Sequence, residues 1–170
     1  MTDPRRFKES LLAELQSLRA FAISVAGNVE RADDLVQDTL ERAVRKFHLW
    51  RPGDLRAWLF SIMHNVFVNQ LKARKIRPEV EADETLAARV PSADNMDIID
   101  LDRALRALAP EQREVVLLVG LEEMTYAEVS QALGIPIGTV MSRLSRGREK
   151  LRRLVEGGPS RTNPSLRVVQ

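Results

Sequence analysis

The chain has 170 residues, 44% of them hydrophobic and 29% charged, with a formal net charge of +2, no cysteine and two histidines. This allows one domain or two small ones with a real core, and it excludes disulfides and thiolate metal sites; His48 and His64 lack a second ligand at helical spacing, so neither a metal nor a cofactor is expected. No run of about eighteen apolar residues suggests membrane insertion, and the opening MTDPRRFKES lacks the apolar stretch of a secretory signal, so a cytoplasmic protein is expected.

From about Arg5 to Ala26 the spacing of Leu11, Leu15, Leu18, Ala22 and Val25 predicts an amphipathic helix, ended by Gly27 and Asn28. A second helix over Glu30 to Phe47 would bury Leu35 or Val36, Leu40, Ala43 and Phe47. Its outer side carries Asp34, Gln37, Asp38, Glu41 and Arg45, a polar face that on spacing alone reads as solvated. The loop from Leu49 to Asp54 contains Pro52 and Gly53 as breakers, and Asp54 can cap the next helix.

That third helix is the most apolar. Leu55, Trp58, Leu59, Ile62, Val66 and Asn69 share one side, while Phe60, His64 and Phe67 lie on another, so partners are expected on more than one face. Trp58 is assigned to the core, whereas Trp50, on the loop, stays open between packing and base stacking. The helix ends basic at Lys72, Arg74, Lys75 and Arg77, and Pro78 stops it.

Residues 77 to 100 hold 2 basic and 7 acidic side chains, against 13 and 9 in residues 1 to 76. The part from 77 to about 96 includes two prolines and lacks a sustained apolar period, which marks a linker. Fully extended, that acidic stretch spans roughly 80 Å, enough for two DNA contacts from one chain. A stripe of Ile98, Leu101, Leu105 and Leu108 then opens a second domain, and Pro110 starts a helix leading through Gly120.

Next comes MTYAEVSQALGIPIGTVMSRLSRGREKLRRLV. Thr125 can cap a helix while Glu128, three residues on, reaches back to the cap, and Gly134 ends that helix. After Pro136 a second helix carries Ile137, Val140, Leu144, Gly147, Leu151 and Leu154 on one stripe. Gly138, Ser142, Ser145, Arg146, Glu149 and Arg153 point the other way. Residues 139 to 156 hold 6 basic and 2 acidic side chains, so the positive charge concentrates on this helix. Small residues let a helix backbone approach a major groove, arginine donates twice to guanine, and cations draw phosphate, so the pattern reads as a helix-turn-helix. The tail after Gly158 has no period.

The order of these parts resembles a bacterial sigma factor of the extracytoplasmic-function group, the two-domain members of the sigma-70 family. ADDLVQDTLERAVRKF, LRAWLFSIMHNVFVN, the acidic linker and LDRALRALAPEQREVVLLVGLEEMTYAEVSQALGIPIGTVMSRLSRGREKLRRL carry the resemblance over residues 5 to 155. It implies an all-α fold of two small helical domains joined by a flexible acidic linker, the second containing the helix-turn-helix. The boundaries expected are 1–76, a linker over 77–97, 98–156 and a disordered tail over 157–170.

The function implied is a non-enzymatic specificity subunit. It binds core RNA polymerase, directs it to promoter DNA of a stress or envelope-response regulon, and is held inactive by an anti-sigma factor. The resemblance assigns Asp34, Gln37, Asp38 and Glu41 to polymerase binding. It assigns Trp50, Arg51, Asp54 and Asn65 to the minus-ten element, with Lys72, Arg74 and Lys75 holding phosphates. Ser142, Ser145 and Arg146 fall to the major groove of the minus-thirty-five element, with Arg143 and Arg148 nearer its backbone. Met141 stands where many relatives have a basic residue. Two other readings compete: a helix-turn-helix regulator that binds DNA as a dimer without the polymerase, and an all-helical adaptor with no DNA role.

Overall fold

A computed structural model describes residues 3–51, 55–76 and 96–156. Asp54, the linker stretch 77–95 and the tail from 157 lie outside the described residues, as does the side chain of Ile98. Among those described are seven α-helices and one 3-10 turn, with no strand.

Helix α1 (Pro4–Ala26) is capped by Asp3, whose carboxylate accepts from the Arg5 N–H. Pro4 sits at the first helical position, where a missing N–H costs nothing. At the other end Gly27 takes the left-handed conformation, φ 74°, and donates to the Ile23 carbonyl. Asn28 caps α2 (Val29–Arg45) at once, accepting from the Arg31 N–H at 3.1 Å. Both Leu35 and Val36 are buried, Leu40 is half-buried, and Phe47 lies beyond the helix in the 3-10 turn Phe47–Leu49.

Helix α3 (Leu55–Ile76) is covered on several faces, as its sequence predicts: Leu55, Leu59, Ile62 and Val66 are buried, and so are Phe60, Met63 and Phe67. Asn69, expected on the buried side, is exposed, because the last turns of α3 run past the core and leave Lys72, Lys75 and Ile76 in solvent as well. Trp58 is half-buried and meets the Phe7 ring edge-on at 6.3 Å.

The remaining helices are α4 (Met96–Arg106), α5 (Pro110–Gly120), α6 (Tyr126–Leu133) and α7 (Ile137–Glu156). Helix α4 begins two residues earlier than the expected domain start, and Leu101 is 47% exposed because Ala104 is turned inward instead. Thr125 and Glu128 form the expected capping box on α6, and Gly134 ends it with φ 64°. Along α7 the stripe holds in the middle, where Val140, Leu144 and Gly147 are buried. It fails at its ends, where Ile137 and Leu154 are 47% and 40% exposed, because α7 outruns the helices it packs on. Gly147 marks a close approach to α5: a Cβ there would lie 2.7 Å from Val116 Cγ2.

The two helical units do not keep separate cores. Buried residues of α1 to α3 run into those of α5 to α7 as one apolar cluster, from Phe21 and Phe60, stacked edge-to-face at 5.1 Å, to Leu118, Val129 and Leu144. Helix α3 packs on α6, and α1 packs on α4 and α5. The two units thus close on each other among the described residues.

Candidate nucleic-acid interface

The outward surface of α7 follows from its inward one. With Val140, Leu144 and Gly147 facing the core, the helical period turns Ser142, Ser145 and Arg146 to solvent, and all three are exposed. Arg148 is exposed beside them and Arg143 is half-buried. Arg146 and Arg148 make no ion pair or hydrogen bond among the described residues, so their donors are open to a ligand. Arg152 and Arg153, one turn on, are held by Glu149 at 2.6 and 2.9 Å. The Arg153 hydrogen bond, with the neighbouring Arg152, holds the Glu149 carboxyl below the ordinary range. Beside α7, Tyr126, Met141, Ser145 and Arg148 line an open groove of about 530 Å³.

The turn before α7 is rigid for a local reason: Ser130 Oγ donates to the Ile135 carbonyl at 2.6 Å, and the Ile135 N–H donates back to the Ser130 carbonyl at 3.2 Å. An exposed basic helix held on a fixed turn can enter a major groove without further ordering.

The residues assigned to the minus-ten element are differently placed. Trp50 is 7% exposed, with its ring 5.4 Å from that of Phe7, so it packs here rather than displaying a face to bases. Arg51 is exposed beside it. Asn65 is exposed on α3, its amide donating to the Ser61 carbonyl at 2.9 Å. Lys72 and Lys75 are exposed at the end of α3, and Arg74 is half-buried. Gln131 of α6 closes one side of a cleft of about 320 Å³ whose other walls include Trp50, Arg51 and Ser61. Thus Trp50 and Arg51 meet the second unit, whereas α7's outer face looks away into solvent.

Asp34, Gln37, Asp38 and Glu41 are all exposed on α2. Gln37 donates to Glu41 at 3.2 Å and Gln70 of α3 donates to Asp38 at 3.2 Å, so the acidic face is ordered but open.

Sequence reasoning missed the polar contacts between the units. Arg56, which also donates to Glu14 of its own unit at 3.3 Å, donates across to the Glu122 backbone carbonyl at 3.2 Å and to the Glu122 carboxylate. His64 Nδ1 lies 2.7 Å from Oε1 of Glu114, which is 4% exposed. Arg56, Phe60 and His64 are spaced i, i+4, i+8 and so form one row on α3; the Arg56 guanidinium lies 5.9 Å from the Phe60 ring centre. Glu123 adopts the left-handed conformation, φ 53°, between Glu122 and Met124, both of which are buried. Burial pushes the Glu122 carboxyl above the ordinary range, and Arg56 and Ser17 only partly oppose this.

At the other end of the contact, α1 has no basic residue in its own last turn. Cations arrive from the second unit: Arg106 donates to the Gly27 carbonyl at 2.8 Å and Arg113 to the Val25 carbonyl at 3.2 Å. They satisfy carbonyls the helix end leaves unpaired and meet the negative end of its dipole. Arg113 also donates to the carbonyls of Leu105, Arg106 and Leu108, and burial, then the nearby Arg106, lowers its pKa. No sequence periodicity points to these pairs, which join residues 50 to 88 positions apart.

Among the described residues, all of them in helices or short connections, a helix-turn-helix on a fixed turn carries open arginines on its second helix, and a preceding unit exposes an acidic helix; the first of these is the arrangement that DNA-binding transcription proteins use. Comparison with known proteins makes this specific. Residues 98–151 match the family model described as sigma-70, region 4, and residues 11–64 match the sigma2 domain of PhyR. The chain is 41% identical over 161 residues to the ECF RNA polymerase sigma factor EcfG of Rhodopseudomonas palustris strain TIE-1, covering 91% of this chain and 87% of that one. It is 37% identical over 141 residues to SigE of Mycolicibacterium smegmatis, covering 77% of this chain and 54% of that longer one. Among solved structures, the sigma factor RpoE of Bartonella quintana, crystallised with the anti-sigma factor NepR, superposes with a TM-score of 0.78. The identity is 36%, over 89% of this chain and 98% of that one. The chain belongs to the ECF RNA polymerase sigma factors, which bind core RNA polymerase and promoter DNA to start transcription. Among the described residues no helix is long and apolar enough to cross a membrane.

Proposed function

We propose that this sigma factor grips promoters at two points. Ser142, Ser145 and Arg146 on α7 read the minus-thirty-five element, with Arg143 and Arg148 on its phosphates. Trp50, Arg51 and Asp54, together with Asn65, handle the minus-ten element, and Lys72, Arg74 and Lys75 hold strand phosphates. Asp34, Gln37, Asp38 and Glu41 dock on core polymerase. Residues 1–76 and 98–156 act as the two domains, joined by 77–97. The protein works in the cytoplasm as a specificity subunit and leaves RNA synthesis to the polymerase. The observation that carries this reading is exposed Arg146 and Arg148, without a partner among the described residues, on a capped helix pair whose second helix buries its opposite stripe.

The closed arrangement is the resting form. Trp50 and Arg51 face Gln131 across a cleft, so gripping the minus-ten element requires the units to part. RpoE of Bartonella quintana matches the described fold across both units while in complex with an anti-sigma factor. That supports control of this chain by an anti-sigma factor that favours the closed form.

The test is transcription in vitro with core polymerase on a promoter library, comparing wild type with Asp38→Ala and Arg146→Ala. Wild type should yield promoter-dependent initiation. Asp38→Ala should weaken binding to core polymerase with promoter preference unchanged, whereas Arg146→Ala should cut upstream discrimination by about 1 to 3 kcal/mol. An Arg146→Ala protein that selects the same promoters as wild type would refute the role given to α7.

A further inference from the structure

Away from the ends of α7, where Ile137, Leu154 and Val155 are exposed, Met141 does not fit a face built only for phosphates and hydrogen bonds. Met141 follows Val140, which is fully buried, and the helical rotation of about 100° per residue carries it out of the core. It is 53% exposed, alongside exposed Ser142 and Ser145 and within reach of the same groove as Tyr126 and Arg148. Ser145, one turn on, is too short to cover it. Met141 therefore presents a flexible, polarisable, apolar side chain to solvent in the middle of a polar and cationic patch.

The occupant follows from charge and shape together. Arg148, which lines the same groove as Met141, and Arg146 on the neighbouring row select a polyanion, the Glu149 carboxylate in that groove being already paired with Arg152 and Arg153, and the rigid helix-turn-helix selects a duplex groove. Within a major groove the base edges offer donors, acceptors and a single kind of apolar group, the C5-methyl of thymine. Two adjacent i, i+4 rows on α7 divide the work. Ser142 and Arg146 form the hydrogen-bonding row, and Met141 and Ser145 the contact row, with the serine leaving room for the methionine to lie along the base edges.

We propose that Met141 is a specificity-determining residue that reads a thymine methyl group in the upstream promoter element. This rests on α7 being the helix that reads that element. The contact is apolar, so it adds discrimination without adding to the salt dependence that the arginines produce.

The experiment uses the full chain assembled with core polymerase and a promoter chosen from the library assay. Each thymine of the upstream element is replaced in turn by deoxyuridine, which removes the methyl and nothing else. Binding is measured by competition for wild type, Met141→Ala, Met141→Leu and Arg146→Ala. At one or two positions the wild type should lose about fourfold in affinity, the worth of one buried methyl group. Met141→Ala should bind the thymine promoter about fourfold less well and ignore the deoxyuridine change at those positions. Met141→Leu should recover most of the sensitivity.

A wild type insensitive at every position would overturn the proposal. So would equal sensitivity in wild type and Met141→Ala, or a selected element with no thymine on the face that α7 contacts. Arg146→Ala keeps the two readings apart. If it discriminates as wild type does, α7 is not the reading helix; if it loses discrimination while Met141→Ala keeps the deoxyuridine profile, only the methyl contact is wrong.

Discussion

Two sets of arginines in this molecule face opposite ways. On α7, Arg146 and Arg148 stand in solvent with no protein partner among the described residues. Between the two helical units, Arg56, Arg106 and Arg113 turn inward onto buried carboxylates and helix-end carbonyls. The first setting keeps its hydrogen-bonding capacity for a ligand; the second spends it on closing the fold. On the proposed reading of α7, removing the surface arginines should change stability little and DNA choice much, and removing the inward ones should do the reverse.

The largest expected effect tests the inward set. Arg56→Ala leaves Glu122, whose side chain is 2% exposed, without its countercharge, and Glu14 loses its partner too. Because Arg56 is itself part-exposed, the cost should lie near the low end for breaking a buried pair, about 3 kcal/mol in urea unfolding. A loss well below 1 kcal/mol would mean that the contact between units is loose in solution. The same residue sets a pH dependence. The folded-state pKa of Glu122 lies above the ordinary 4.5, so the folded protein binds that proton more tightly than the unfolded chain. The resulting stabilisation is complete below about 4.5 and is lost as pH rises through the elevated value. Compared with Glu122→Gln, the wild type should gain stability as pH falls from 7 toward 5, and Arg56→Ala should steepen that gain by removing the charge that opposes the upward shift.

Arg146→Ala is the counterpart on the open face. Its unfolding midpoint should match wild type within about 0.5 kcal/mol, as for surface substitutions without partners, while upstream promoter discrimination falls. If both variants lost stability equally, the division between the two arginine sets would be false.

Why one set was legible and the other was not comes down to range. Capping of α6 by Thr125 and Glu128, the left-handed stop at Gly134 and the alternation of Val140, Leu144 and Gly147 are decided within a few residues, so a local pattern suffices to read them. The same holds for the exposure of Ser142, Ser145 and Arg146. Helix α3 gave half of the other story: Phe60 and His64 on a second face required a partner, but the period of one helix cannot say which. Glu114 and Glu122 lie 50 and 66 residues away from His64 and Arg56, and as charged residues they looked like surface ones. A loop position such as Trp50 has no period, so the sequence leaves it undecided, and its burial against Phe7, from the start of α1, shows that it packs.

A middle-sized effect probes the packing beneath the open face. Gly147→Ala places a Cβ 2.7 Å from Val116 Cγ2 and 3.5 Å from Gln112, on a branched side chain that cannot swing aside. Overpacking of this kind costs about 2 kcal/mol, offset in part by the better helix propensity of alanine, about 1 kcal/mol. A net loss of about 1 kcal/mol in thermal unfolding is expected, together with weaker DNA binding because α7 is pushed off α5. Unchanged stability would show that α5 and α7 accommodate the methyl for no more than the ~1 kcal/mol gained in helix propensity.

An effect of similar size concerns the cap that positions the helix pair. Thr125 Oγ1 accepts from the Glu128 N–H at 3.2 Å while the Glu128 carboxylate accepts from the Thr125 N–H at 2.7 Å and from its hydroxyl at 2.8 Å. Those hydrogen bonds, the backbone one first, hold the Glu128 carboxyl below its ordinary range. Thr125→Ala removes the acceptor for the helix N–H and one donor to the carboxylate, and should cost about 1 kcal/mol at pH 7. Since the folded-state pKa of Glu128 is lowered, its share of stability is present above the ordinary 4.5 and disappears as pH falls through the lowered value. The gap between wild type and Thr125→Ala should therefore narrow in strongly acidic solution, where the carboxylate takes up its proton. It is the opposite trend to that of Glu122, which gains as pH falls, so one pair of pH titrations separates a solvent-exposed cap from a buried contact. A gap that stayed constant down to about pH 3 would mean that the threonine hydroxyl caps α6 without help from Glu128.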